Sequence, residues 1–253
     1  MRILLVNDDG ISSPGLAVLE EIARGISDDV WVVAPQTEQS AVSHALTLHR
    51  PLRIRQHGER HFSVDGTPAD CVLLALHQIT GVEGGGRPDL VMSGINLGPN
   101  LADDITYSGT VAAAMEACLF GIPAIAMSQF TPSVGAINWE VAKRQGADIV
   151  RKAMEVGFPQ GVLLNVNFPV AAGDAPCSVR VVRQGSRAYS SGMEKRHDPR
   201  GRPYYWNAGT RNDSKPGQDT DLAHVRSGGI SITPISLDLT HFPTAEALKD
   251  VFA

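Results

Sequence analysis

At 253 residues, 43% hydrophobic and 19% charged, the chain has the balance of a protein with a substantial core, which excludes extended disorder. A formal net charge of −5 gives no reason to expect a basic groove for a nucleic-acid polymer, while a local site for a small phosphorylated ligand stays open. The three cysteines, Cys71, Cys118 and Cys177, form no Cys-x-x-Cys pair, so no zinc or dithiol redox motif is available.

Ile3-Leu4-Leu5-Val6 reads as a strand buried on both faces, followed by the turn Asn7-Asp8-Asp9-Gly10. Met1 leads into it without a signal peptide, and no apolar run approaches membrane length, so a cytoplasmic protein with no membrane contact is expected. Ser13 can cap a helix with Pro14 at its first position, and Leu16, Leu19, Ile22 and Ala23 follow at helical spacing. Residues 30–34 form a second buried strand, stopped by Pro35. Strand, helix, strand is the pattern of a parallel sheet. Residues 36–47 are a long polar loop carrying Glu38, Ser40, Ser43 and His44.

Residues 52–55 and 61–64 alternate as the strands of a hairpin turning near Gly58. Thr67, Pro68 and Asp70 have the spacing of a capping box, starting a helix that runs toward Ile79. Gly84-Gly85-Gly86 is a surface connection. Residues 89–93 are the next strand, with 94–100 as its exit loop, and Ser108-Gly109-Thr110 opens a helix of small residues ended by Gly121. Strands at 123–127 and 162–167 flank an amphipathic helix at 138–156. Beyond Phe168-Pro169 the texture changes to alternating patches at 178–182 and 229–233, the aromatic run Tyr204-Tyr205-Trp206, and a short last helix at 244–251. The expected fold is α/β, a Rossmann-like, doubly wound, mostly parallel sheet over residues 1–170, with a β-rich extension over 171–253.

Parallel strands send their exit loops to one edge of the sheet, where open α/β folds bind ligands. Asp8-Asp9, Ser40, Asn96 and Ser108-Gly109-Thr110 all fall on that edge. Alone, each is an ordinary turn, loop or cap residue. Together, two carboxylates, a hydroxyl and an amide make an all-oxygen set that suits one hard divalent cation, Mg²⁺ or Mn²⁺. Ser108-Gly109-Thr110 adds a helix start, whose free amides and dipole attract an anion such as phosphate. A cation beside an anion pocket is the arrangement for metal-assisted phosphoryl transfer, in which the catalytic residues are Asp8 and Asp9, one of them also accepting a proton from the attacking water. No Walker sequence and no Gly-x-Gly-x-x-Gly turn is present, which counts against nucleoside triphosphate and dinucleotide use. Two other readings stay open: an aspartyl-phosphate phosphatase using Asp8 or Asp9 as nucleophile, disfavoured by the adjacency of the acids, and a nucleotide sensor without turnover.

Residues 3–11 with Ser13-Pro14-Gly15-Leu16, then Ala34-Pro35 with Ser40, resemble the first two motifs of the SurE (survival protein E) family. Ser93-Gly94-Ile95-Asn96-Leu97-Gly98 and Tyr107-Ser108-Gly109-Thr110-Val111 resemble the next two, and Asn165-Val166-Asn167-Phe168-Pro169 and Ser231-Ile232-Thr233-Pro234 extend the likeness. The resemblance implies a divalent-metal-dependent phosphatase of nucleoside 5′- and 3′-monophosphates, sometimes also acting on polyphosphate. It implies Asp8, Asp9, Ser40 and Asn96 as metal ligands, Asn96 and Ser108 to Thr110 as phosphate-binding, and a homodimer or homotetramer exchanging C-terminal segments. Two departures stand out: Ala41 follows Ser40 where a glycine is common, and Asp219-Thr220-Asp221 replaces Gly-Thr-Asp. His44, Asp103, Asp104 and the aromatic run are further candidates for the substrate pocket walls.

Overall fold

Ile3 and Leu5 of strand β1 (Arg2–Val6) point to one face of a sheet and Leu4 and Val6 to the other, and all four are fully buried. Each such side chain removed from water contributes about 1.5–3 kcal/mol, so β1 anchors both cores. The structure is a computed structural model that describes residues 1–83, 86–131, 137–170, 175–190, 192–212 and 217–252; Gly84 and Gly85 of the expected surface connection lie outside them.

The other strands are β2 (Asp29–Pro35), β3 (Ile54–Gly58), β4 (His61–Val64), β5 (Leu90–Leu97), β6 (Ala124–Gln129), β7 (Val162–Phe168) and β8 (Val179–Val181). They continue with β9 (Ala188–Ser190), β10 (Met193–His197), β11 (Pro203–Asn207), β12 (Thr210–Asn212) and β13 (Ile230–Ser236). The helices are α1 (Pro14–Arg24), α2 (Pro68–Leu74), α3 (Gly109–Leu119), α4 (Glu140–Val156), α5 (Asp221–Arg226) and α6 (Phe242–Phe252). Among the described residues nine strands form one sheet in the order β3-β4-β2-β1-β5-β6-β7-β13-β8. The run from β4 to β7 is parallel, β3 and β13 are antiparallel to their inner neighbours, and β8 runs parallel to β13. Helices α1 and α4 cover one face, α2 and α3 the other. The connections leave β1 in opposite directions, toward β2 on one side and β5 on the other, and such a reversal opens a crevice at the carboxyl ends of the strands.

Local signals act as the sequence predicts at the helix starts. Ser13 Oγ accepts from Leu16 N at 3.2 Å, and Thr67 with Asp70 forms a complete capping box. Three expectations need correction. The helix after Thr67 passes at Ala75 into a π-helical segment, Ala75–Glu83, in which Thr80 Oγ1 donates to Ala75 O at 3.0 Å. Strand β5 does not end at Ser93: it absorbs the expected exit loop as far as Leu97 through a register shift against β6 between Ser93 and Asn96. Helix α5 was not expected, since its six residues are too few for a periodic signal.

Beyond residue 170 the chain is β-rich as anticipated. Strands β8 and β13 join the main sheet, while β10–β11 and β9–β12 form small antiparallel pairs. This region also clamps the turn after β5. Arg187 Nη1 meets Asp104 Oδ2 at 3.2 Å with both side chains 4% exposed, and Asp221 Oδ2 accepts from Ala102 N at 2.8 Å. Among the described residues no helix is long and apolar enough to cross a membrane.

Candidate functional site

Asp8 and Asp9 follow β1 directly, and Gly10 turns the chain with a φ of 95°, a conformation that a β-carbon would strain. Asp8 is 5% exposed. Its Oδ1 accepts the Thr110 hydroxyl at 2.6 Å, and its backbone carbonyl accepts Gln39 N at 2.7 Å. Asp9 is half-buried, with Oδ2 accepting Leu97 N at 3.0 Å. Helix α3 starts against this pair. Its cap Ser108 accepts Val111 N at 3.0 Å, and a β-carbon on Gly109 would stand 2.8 Å from Asp8 Cβ and 3.0 Å from Asp8 Oδ2. Glycine is therefore what lets the helix start approach the carboxylate.

Burial pushes the Asp8 carboxyl up from 3.8 to about 6; the Thr110 hydrogen bond opposes this and the charge of Asp9 adds to it. Burial also raises Asp9, against the Leu97 amide that lowers it, with the charge of Glu38 as a further upward push. No ion pair to Asp8, Asp9 or Glu38 is found among the described residues. A cavity of about 300 Å³ opens beside Asp9, lined among others by Ile11, Ser12, Gln36, Glu38 and Leu97.

Of the expected site residues, Asp8, Gly109 and Thr110 are brought into contact, with Asp9 next to Asp8 in the chain. Ser40 and Asn96 sit one residue from the amides that bond Asp8 and Asp9. Ser40 Oγ donates to Glu38 Oε1 at 2.7 Å, and Asn96 Nδ2 donates to Gly98 O at 2.8 Å. Asp103 and Asp104 do not face this crevice: they bond Arg187, through its backbone N at 2.7 Å and its guanidinium respectively. Tyr204, Tyr205 and Trp206 are exposed on β11.

Sequence reasoning missed a buried polar network behind Thr110. Asn100 Nδ2 donates to Ser128 Oγ at 2.8 Å and reaches Thr110 Oγ1 at 3.4 Å. The backbone of Asn100 is held by Asn165 Nδ2 at 2.8 Å and by Asn167, which both donates and accepts at 3.0 Å. The available signal was two asparagines at strand positions where apolar residues are the rule. Both departures from the resembled motifs fall on left-handed backbone, with φ of 58° at Ala41 and 58° at Asp219. Asp tolerates that region through its short polar side chain, whereas Ala does not.

The family model "Survival protein SurE" matches residues 3–191. A protein of Brucella canis called 5'-nucleotidase SurE is 51% identical over 243 residues, covering 95% of this chain and 94% of its own. One of the same name from Brucella anthropi is 50% identical over 243 residues, covering 95% and 93%. The crystal structure of the SurE protein from Aquifex aeolicus superposes with a TM-score of 0.85 at 41% identity, covering 100% of both chains. Sequence and fold agree over essentially the whole length, and the chain belongs to the survival protein SurE family.

Proposed function

We propose that the chain is a phosphatase that hydrolyses nucleoside 5′-monophosphates to nucleoside and phosphate, in keeping with the name its relatives carry. The observation that carries this reading is the contact of Asp8 with Gly109 and Thr110, which sets against a helix N-terminus an acid pair that has no cationic partner among the described residues. Asp8, Asp9, Ser40 and Asn96 offer oxygen donors, and two carboxylates raised by burial, Asp8 also by the charge of Asp9 and Asp9 by that of Glu38, fit one hard divalent cation, Mg²⁺ or Mn²⁺. Such an ion supplies positive charge for the phosphoryl oxygens and makes water a better nucleophile.

The chain's own groups do the rest. Free amides at the start of α3, with Ser108, Gly109, Thr110 and Asn96, hold the phosphoryl oxygens as charge builds on them. Thr110 fixes the pose of Asp8. Asp9 lines the open cavity and is the better placed acid to take the proton of the attacking water. The same site serves 3′-monophosphates and short polyphosphate. Residues 1–170 act as the catalytic core and 171–253 in a homodimer or homotetramer, a role supported by α6, which buries none of its residues and exposes Phe242, Val251 and Phe252. The protein works in the cytoplasm.

Purified protein with Mn²⁺ is expected to release phosphate from a nucleoside 5′-monophosphate, and Asp9→Asn to lower the rate by about 10²–10⁴-fold. Undiminished turnover in Asp9→Asn, or in excess chelator, would falsify the metal assignment. Tight nucleotide binding without turnover would make the protein a sensor instead.

A further inference from the structure

Glu116 is the single charged side chain on α3 and is 5% exposed, in a helix otherwise built of small and apolar residues. A buried carboxylate is costly unless it is paired, and an apolar residue there would pack without that cost. Its partner comes from the loop between β2 and β3: Glu116 Oε2 meets His44 Nε2 at 2.7 Å. That loop carries Ser40, and it holds left-handed backbone at both Ala41 and Ser43, with φ of 58° and 55°. Such strain persists only where surrounding contacts over-determine the conformation.

The contacts here run to three other places. Ser43 N donates to Tyr107 O at 3.1 Å and Ser43 Oγ to Thr106 O at 2.8 Å, just before α3. Thr47 bonds Asp70 at 3.1 Å through its backbone and 2.6 Å through its hydroxyl. Gln39 N reaches Asp8 O at 2.7 Å. Among the described residues the His44–Glu116 contact ties the middle of the loop to the body of α3, whose first turn stands against Asp8.

We propose that the His44–Glu116 pair is a latch that positions the Ser40 loop against α3, making His44 and Glu116 positioning residues for the cation and phosphate site. The inference rests on the proposed function for what the loop delivers, and on geometry alone for the latch. In the free protein, His44→Ala is expected to speed amide hydrogen exchange in residues 40–47 with little change in the strands. In the same variant, Mn²⁺ binding measured by calorimetry should weaken on the order of tenfold, the size seen when groups that orient metal ligands are removed. His44→Gln keeps an N–H donor for Glu116 and should recover most of that loss, whereas a merely structural histidine would show no such rescue. Exchange unchanged in His44→Ala would overturn the latch. Faster exchange with unchanged Mn²⁺ affinity would overturn the positioning role. Should the wild-type protein bind no Mn²⁺ and release no phosphate, the proposed function fails by itself, and the exchange comparison still decides the latch.

Discussion

The hydroxyl of Thr110 donates to Oδ1 of Asp8 at 2.6 Å, joining residues 102 positions apart in the chain. The bond favours the ionised carboxylate, yet burial outweighs it and the folded protein holds the Asp8 carboxyl at about 6 against an ordinary 3.8. Between those two values the folded state binds more protons than the unfolded state, so this group makes stability fall as pH rises. Metal-free wild-type protein should therefore lose thermal stability relative to Asp8→Asn as pH goes from about 4 to about 6. A melting-temperature difference that stays flat across that range would contradict the burial of the acid. Saturating Mn²⁺ should shrink the difference.

Gly109 leaves no room for a methyl group, since its β-carbon would meet Asp8 Cβ at 2.8 Å. Gly109→Ala must push the Asp8 loop or α3 aside, at about 1–3 kcal/mol of stability for such overpacking. A displacement near 1 Å at reacting groups is enough to lower turnover by roughly 10²-fold. The comparison of interest is the variant's phosphate release against its melting temperature: a folded protein with wild-type turnover would show that the close approach is not needed.

Ala41→Gly tests the strained loop from the other side. Left-handed backbone costs a residue with a β-carbon roughly 1–2 kcal/mol, and glycine's added freedom in the unfolded chain takes back about 0.5–1 kcal/mol. The net gain is below about 1.5 kcal/mol, a rise in melting temperature of a few degrees at most. A fall would mean that the loop does not hold the φ of 58° found here.

Arg187 and Asp104 form an ion pair sealed from water, with both side chains 4% exposed. Arg187→Ala removes the guanidinium that faces the buried Asp104 carboxylate and is expected to cost about 3–5 kcal/mol, whereas Arg187→Met with Asp104→Leu should recover much of it. Denaturant unfolding of the single and double variants reads the difference, and additive losses would dispute the pairing.

The strands and helix starts were legible because they are written locally: β1 as an unbroken apolar run, α1 and α2 as cap, proline and spacing. Asp8, Asp9, Gly109 and Thr110 could be gathered from sequence because parallel strands force their exit loops together. The rest depends on packing. Strand β5 runs on through Leu97 because a register shift absorbs the turn residues that read as its end. Glu116 looks like a misplaced charge on α3 until His44, 72 positions earlier, is seen beside it. Asn100 reads as a turn residue, and the folded β6, β7 and α3 supply the buried amides and hydroxyls that make it a hub.

The antiparallel seat of β13 beside β7 has a consequence for biosynthesis. While the ribosome is still adding residues 169–229, β7 presents an unpaired row of amides and carbonyls at the rim of a growing parallel sheet. Such a rim is a template for a neighbouring nascent chain, and exposure lasts until residues 230–236 emerge. Crowded polysomes making this protein are thus more prone to cross-pairing than its finished fold, in which β13 occupies the place that an intruding strand would take.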